Sequence, residues 1–151
     1  MNKTYLFAAS GVVLAGGLLW LASTPDTGGM GHDMTPPDTS QLAQGAAIVQ
    51  VRMPAELDAK AQMGERAFEA ACAACHGAAA AGQNGVAPPL VHRTYEPSHH
   101  GDAAFLMAVQ NGVRSHHWKF GDMPPVSGLT ASDVGNIVAY VRALQRENGI
   151  E

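Results

Sequence analysis

The two cysteines of the chain stand together in the segment ACAACHG, where Cys72 and Cys75 are followed directly by His76. A disulfide between residues so close in sequence closes almost no loop and would constrain the unfolded chain very little. Structural zinc needs four nitrogen or sulfur ligands, and the sequence has no second CxxC pair and no histidine pair at finger spacing. A thioredoxin-like dithiol needs a βαβ context, whereas the alanine-rich flanks favour helix. These three uses of the cysteines are therefore weakly supported.

The CxxCH spacing is instead typical of a covalent attachment site for haem c. Each thiol adds to one vinyl group of the haem, and the residue that follows is placed to bind the iron from the proximal side. The sequence therefore predicts one haem c held by Cys72 and Cys75, with His76 as an axial ligand of the iron.

A second axial ligand must come from elsewhere in the chain, which has seven methionines and seven histidines. Met123 lies in a loop between a glycine and the pair Pro124–Pro125, and prolines stiffen the backbone and keep it out of helix. A rigid loop suits a thioether, because sulfur is a weak ligand of haem iron. Met107 stands among apolar residues of a predicted helix and fits the core better. The competing ligands, whose imidazoles bind iron more tightly than a thioether, are His92, His99, His100, His116 and His117.

The helix that carries the CxxCH motif is predicted to begin after Asp58, a suitable N-cap residue, and to run to about residue 76. Gly64, Phe68 and the two cysteines are spaced by four, four and three residues, so they lie close to one face. Gly64 costs helix stability by about 1 kcal/mol relative to alanine. Two interpretations stay open: another helix approaches closely there, or the glycine is simply tolerated.

The clearest helix of the chain follows Thr130. Thr130 and Asp133 form a start that resembles a capping box, an apolar stripe follows at helical spacing, and Gly149 can end the helix. Arg142 lies toward the C-terminal end, where the helix dipole favours a cation. Tyr140 is then free to pack against the first helix.

An all-α fold is the prediction for residues 55–151. A middle helix is expected over Asp102–Asn111, with Gly112 as its stop, and no convincing strand pattern appears. The loops are long enough to count against ordinary packing, but they make sense if they wrap a cofactor. We therefore expect three to four helices wrapped around one covalently bound haem.

The N-terminal segment is predicted to meet a membrane. The stretch from Tyr5 to Ala22 has no charged residue and would span roughly 27 Å as a helix, just short of the ~30 Å hydrocarbon core. Because no clean A-x-A cleavage site follows, we predict that residues 1–22 form a signal anchor, with a cleaved signal peptide as the alternative. In both cases the remainder of the chain is exported.

Residues 23–54 are rich in Gly, Pro, Thr, Asp and Ser and are predicted to form a flexible linker. Within it, the segment GGMGHDM places Met30, His32 and Met34 close together. Thioether and imidazole ligands together suit copper, particularly Cu(I). The alternative is an ordinary linker in which these residues bind no metal.

The composition argues against a nucleic-acid partner and favours an interior that is partly filled by a cofactor. The net charge is −4 and there is no run of basic residues, so a nucleic-acid partner is not expected. Aromatic residues are scarce, and a large buried cofactor would help to fill the interior of the domain.

Several of these features together resemble the class I c-type cytochromes, over about residues 58–146. GERAFEAACAACHG resembles that family's haem-binding helix, and LTASDVGNIVAYVRAL resembles its C-terminal helix. APPL at 87–90 is similar to the proline-leucine segment of the family, which implies that the carbonyl of Pro88 accepts a hydrogen bond from His76. GDMPP at 121–125 is similar to the methionine loop, which implies that Met123 is the sixth ligand. The histidine-rich segments PSHH and SHHW match no motif of the family.

A haem with histidine and methionine ligands has no open position on its iron, so it moves one electron and does not bind substrate. We therefore expect an electron-transfer protein, not an enzyme, on the periplasmic side of a bacterial cytoplasmic membrane. Its partners would be redox proteins, among them membrane respiratory complexes. Two alternatives remain: a haem enzyme or gas or peroxide sensor with a labile sixth ligand, and a cytochrome subunit of a larger oxidase or dehydrogenase. Two interpretations stay open for Tyr95, Trp118 and Arg93: contact with the haem edge or a propionate, or ordinary packing in the core or at the surface.

Overall fold

The computed structural model describes residues 34–151, and this part of the chain is all-α. Four α-helices follow one another: α1 is Ala59–Ala71, α2 is Ala73–His76, α3 is Asp102–Asn111 and α4 is Ala131–Glu147. Two short 3₁₀ turns, Ala78–Ala80 and Arg93–Tyr95, lie in the long connection between α2 and α3. Within residues 34–151 the only β-type pairing is two isolated bridges. The predicted fold class is confirmed.

Helix α1 begins as predicted but ends earlier. Asp58 is the N-cap, and its carboxylate accepts a hydrogen bond from the N–H of Ala61 at 2.8 Å. The helix stops at Cys72, whose backbone angles of φ −120° and ψ −32° leave the helical region. The carbonyl of Cys72 accepts hydrogen bonds from both Cys75 (3.1 Å) and His76 (2.9 Å), which starts the short helix α2. The predicted single helix is therefore two, with the break inside the CxxCH motif.

Helix α4 has the predicted capping box. The N–H of Thr130 donates to the carboxylate of Asp133 at 2.9 Å, and the N–H of Asp133 donates to the hydroxyl of Thr130 at 3.2 Å. The helix ends at Glu147, Asn148 is the C-cap, and Gly149 follows with φ +74°. The two predicted boundaries of this helix are therefore confirmed to within a residue or two.

Helices α1 and α4 cross at Gly64, and this crossing forms the centre of the domain. A Cβ atom added to Gly64 would lie 1.8 Å from the carbonyl oxygen of Asn136, so no side chain fits there. One turn further along, the rings of Phe68 and Tyr140 pack with their centroids 5.6 Å apart. Both rings are fully buried. Of the two interpretations of Gly64, the structure supports close approach by another helix.

The segment before α1 is hydrogen-bonded to the domain where the sequence predicted a flexible linker. The backbone N–H of Gly45 donates to Asn84 at 2.9 Å, and that of Ile48 donates to Ala81 at 3.1 Å. The side chain of Asn84 donates to the carbonyl of Leu42 at 2.8 Å. Backbone groups make most of these bonds, so the composition of the segment gave no sign of them.

The predicted membrane segment, residues 1–22, lies outside the described residues, as do Met30 and His32 of the predicted copper tract. Among residues 34–151, none of the helices has the length and apolar character that crossing a bilayer requires.

Candidate functional site

Cys72, Cys75 and His76 line one large cavity, with a volume of about 750 Å³. Its walls come from the CxxCH segment, the loop of residues 86–90, helix α3, the loop between α3 and α4, and helix α4. Apolar side chains make up much of this lining, including Leu90, Phe105, Val109, Val126, Val134 and Ile137. The size and the lining are those of a site for a large, mainly apolar ligand.

The imidazole of His76 is oriented by a single hydrogen bond. Its Nδ1 lies 2.9 Å from the carbonyl oxygen of Pro88, the partner that the resemblance implied. A carbonyl can only accept, so Nδ1 carries the proton and Nε2 keeps its lone pair. Burial lowers the pKa of His76, and the hydrogen bond to Pro88 opposes this in part. His76 is therefore held as a neutral imidazole, which is the form that binds a metal.

The two thiols are unpaired, and burial keeps the thiol of Cys72 in its protonated, weakly nucleophilic form. Both cysteines are unpaired in the structure. Burial raises the pKa of Cys72 to about 11, and the neighbouring Cys75 adds to the shift. A thiol with such a pKa is protonated near neutral pH, unlike the low-pKa thiolate of a redox-active cysteine, which disfavours the dithiol use of the motif. Among the described residues, the one group of side chains placed to share a metal ion contains neither cysteine, which disfavours the zinc use.

Met123 lines the same cavity, and its backbone is fixed on both sides. Its N–H and carbonyl form a two-bond bridge with Val113, each bond 2.9 Å long. Gly112 makes this pairing possible, because it has φ +72° and an added Cβ would lie 2.5 Å from the carbonyl oxygen of Met123. Pro124 and Pro125 then stiffen the chain on the other side. The thioether is therefore presented from a rigid loop, as the sequence predicted.

The other candidate ligands divide into residues that line the cavity and residues that do not. Met107 also lines the cavity, but it is 56% exposed on helix α3, so the prediction that it packs in the core is wrong. Of the five candidate histidines, His100, His116 and His117 contribute to the lining, whereas His92 and His99 do not.

A polar end of the cavity is formed by Tyr95 and Trp118, two of the candidate haem contacts. The indole Nε1 of Trp118 is buried, lies close enough to the Tyr95 hydroxyl to oppose the rise in its pKa, and has no acceptor in full hydrogen-bonding geometry within the part of the chain that the structure describes. Burial raises the pKa of the Tyr95 hydroxyl, so this group is a donor and not an anion at neutral pH. Arg93, the third candidate contact, is exposed and lies outside the lining. A carboxylate at this end would satisfy the buried indole N–H.

Gln145 of helix α4 fixes the loop that follows the CxxCH motif. Its side chain is fully buried and donates from Nε2 to the carbonyls of Leu90 (2.8 Å) and Tyr95 (2.9 Å). Its carbonyl oxygen accepts from Arg142 at 2.6 Å. Sequence reasoning missed this residue, although a glutamine beside the apolar stripe of α4 is a signal that a buried polar contact is needed.

Arg142 extends this network toward helix α3. Arg142 is 7% exposed, and its guanidinium pairs with Asp102 at 2.9 Å and donates to the carbonyls of Tyr95 and His100, each at 2.6 Å. The sequence analysis explained Arg142 only by the helix dipole and did not predict these contacts. Arg142 and Gln145 together hold residues 90–102 against the domain and so position one wall of the cavity.

The side chains of the cavity fit a covalently attached haem. Two thiols are available for the vinyl groups, His76 offers an unprotonated Nε2, and Met123 offers a thioether. The buried indole N–H of Trp118 lacks an acceptor that a haem propionate would supply.

Comparison with known proteins agrees with this assignment. A family model described as Cytochrome c matches residues 61–145, more than half of the 151 residues. A search of curated proteins found no match. The matched range contains the CxxCH motif, Pro88, Met123 and most of helix α4, and we conclude that the chain belongs to the cytochrome c family.

Proposed function

We propose that this protein carries single electrons between redox partners through one haem c, whose iron is held by His76 and Met123. Membership of the cytochrome c family gives the covalently bound haem and, in general terms, electron transfer. The observation that carries the finer proposal is that both ligand candidates line one cavity on fixed supports. His76 is oriented by the carbonyl of Pro88 at 2.9 Å, and Met123 is paired with Val113 by two bonds of 2.9 Å.

When bound, the haem supplies a reversible one-electron change at its iron. The chain supplies the environment. The hydrogen bond from His76 to Pro88 fixes the tautomer and increases the basicity of the ligand. Tyr95 and Trp118 offer an O–H and an N–H to the carboxylates of the cofactor. With haem bound, the apolar lining would help to exclude water and, like the thioether of Met123, would favour the less charged ferrous state.

We further propose that the haem domain works on the periplasmic side of a bacterial cytoplasmic membrane. The support is the uncharged segment from Tyr5 to Ala22, which would retain the protein at the membrane as a signal anchor. Confinement to the membrane plane raises the effective concentration of the domain near membrane-bound redox complexes. A permanent place as a subunit of an oxidase or dehydrogenase is the alternative, and co-purification from membranes under mild detergent would distinguish the two.

The test of the electron-transfer proposal is the optical spectrum of the haem-loaded full chain, with and without carbon monoxide. A six-coordinate iron is low-spin in both oxidation states, shows the weak far-red band of a bond from sulfur to ferric iron, and takes up no carbon monoxide. A high-spin ferrous haem that binds carbon monoxide would overturn the proposal. It would favour a haem enzyme or sensor, in which His100, His116 or His117 at the cavity could act as acid or base.

Covalent attachment can be tested separately from ligation. The double variant Cys72→Ala/Cys75→Ala is expected to carry no covalent haem, because no other cysteine is present to form a thioether. Each single variant is expected to keep one thioether and to mature in lower yield. Intact mass spectrometry after denaturation measures both outcomes. Haem that stays bound to the denatured double variant would contradict the assignment.

A further inference from the structure

Two histidine pairs that have no place in the family pattern meet in space. His99 and His100 precede helix α3, and His116 and His117 lie in the loop after it. The ring centroids of His116 and His117 are 4.3 Å apart, those of His99 and His117 are 5.2 Å apart, and those of His100 and His117 are also 5.2 Å apart. Four imidazoles therefore form one cluster at the surface, beside the haem cavity.

Three of these rings each place one nitrogen close to the nitrogens of the other two. One ring nitrogen each from His99, His100 and His117 lies within 4.8 Å of the others. The Nε2 atoms of His99 and His117 are 3.2 Å apart. Two imidazole nitrogens bound to one tetrahedral metal at about 2.05 Å would be about 3.3 Å apart. This pair is therefore already close to the separation that a shared metal requires.

The third ring is oriented as metal-binding histidines are. Nδ1 of His100 lies 2.5 Å from the carbonyl of Thr94, so it carries the proton and Nε2 is left with its lone pair. Hydrogen bonding of the second nitrogen to a carbonyl is the usual support of a metal-binding imidazole. The backbone carbonyl of His100 is itself held by Arg142 at 2.6 Å. The charge of that guanidinium is offset by Asp102, 2.9 Å away, which lessens its repulsion of a bound cation.

We propose that His99, His100 and His117 bind one divalent transition-metal cation, Zn²⁺ or Cu²⁺, at the edge of the haem cavity. All-imidazole ligand sets suit these ions, and Cu²⁺ binds the tighter of the two. His99 is exposed and the other two rings are half-buried, so a metal bound by all three would lie near the surface. None of these three histidines is one of the proposed ligands of the haem iron, His76 and Met123. The site extends the chemistry of the protein beyond that of its haem.

Zinc titration of the haem-loaded, untagged full chain tests this site, because Zn²⁺ is redox-inert and leaves the oxidation state of the haem unchanged. Isothermal titration calorimetry is expected to show one equivalent of Zn²⁺ bound, with a dissociation constant of about 1 µM or lower. Substitution of a ligand, as in His99→Gln or His117→Gln, is expected to weaken binding by at least about 100-fold.

Two control variants separate this site from its neighbours. His116→Gln removes a ring of the same cluster that is not in the three-nitrogen set, and His32→Gln removes the histidine of the linker tract. Both are expected to bind Zn²⁺ within about threefold of the unmodified chain, less than the ~10-fold that loss of even a supporting contact costs. The absence of saturable binding, or binding that survives His117→Gln, would overturn the proposal. So would loss of binding in His32→Gln.

The haem spectrum of each variant tests whether the substituted histidine binds the haem iron instead of zinc. His117 lines the haem cavity, so His117→Gln can shift the positions of the haem bands, but the haem is expected to stay six-coordinate and low-spin if the ring binds zinc and not iron. A change to high spin in that variant would place His117 on the iron and would overturn the proposal. Because His99 is exposed and lies outside the cavity lining, His99→Gln tests the metal site without disturbing the haem pocket.

Discussion

Replacing Gly64 with alanine is expected to lower the free energy of unfolding by about 3 kcal/mol. The added methyl group would lie 1.8 Å from the carbonyl oxygen of Asn136 in helix α4, so the two helices must move apart. That movement separates the buried rings of Phe68 and Tyr140 and shifts the CxxCH motif at the end of α1. The penalty outweighs the gain in helix propensity, which favours alanine over glycine by about 1 kcal/mol.

Gly135 provides the matched control, because it lies inside helix α4 and an added Cβ would have no neighbour within 4 Å. Gly135→Ala is therefore expected to stabilise the protein by about 0.5–1 kcal/mol. Denaturant unfolding of the two haem-loaded variants, followed by helical circular dichroism, measures both changes. The two variants are expected to change the free energy of unfolding in opposite directions. A Gly64→Ala protein as stable as the unmodified chain would show that the helices do not cross as closely as described.

The haem-binding elements could be predicted from the sequence because their signals are local. Asp58 and Thr130 cap their helices through side chains a few residues from the first free N–H groups. The interruption of the first helix at Cys72 could not be predicted in this way. No glycine or proline stands there, and the backbone departs from helical angles within a segment of favourable alanines. Just beyond the break, the side chain of Gln83 donates to the carbonyls of Ala73 (3.2 Å) and Ala74 (3.0 Å), a contact with a later segment that a local pattern of residue types does not record.

Contacts between distant segments were the other part that the sequence did not reveal. Gln145 reaches the carbonyls of Leu90 and Tyr95 across 50 residues or more, and no periodicity predicts such a bond. The meeting of His99 with His117, which are 18 residues apart, depends on how the loops on either side of helix α3 fold. The sequence did mark these histidines as departures from the family pattern. Such departures are expected where a chain has acquired a site of its own.

Met123→Ala is expected to remove the far-red band of the ferric haem and to lower its midpoint potential. A thioether ligand favours ferrous iron, so its loss favours the ferric state. The fall should be on the order of 0.2 V, a fraction of the roughly 0.8 V range over which axial ligands set haem potentials. The freed position should also let the ferrous haem bind carbon monoxide. Optical titration against redox mediators measures the potential and the spectrum in one experiment.

Met107→Ala is the control for this prediction, because Met107 lines the same cavity from helix α3 but is 56% exposed. It should leave the band and the potential unchanged. A band that persists in Met123→Ala and disappears in Met107→Ala would reverse the ligand assignment. If Met123→Ala loses the band but stays low-spin, an imidazole has replaced the sulfur, and His100, His116 and His117 are the candidates because they line the cavity.

Adding Zn²⁺ to such a low-spin Met123→Ala protein would make the haem iron and the proposed zinc site compete for the same imidazole. If His117 is shared between them, the cation should withdraw it from the iron and return the haem to high spin.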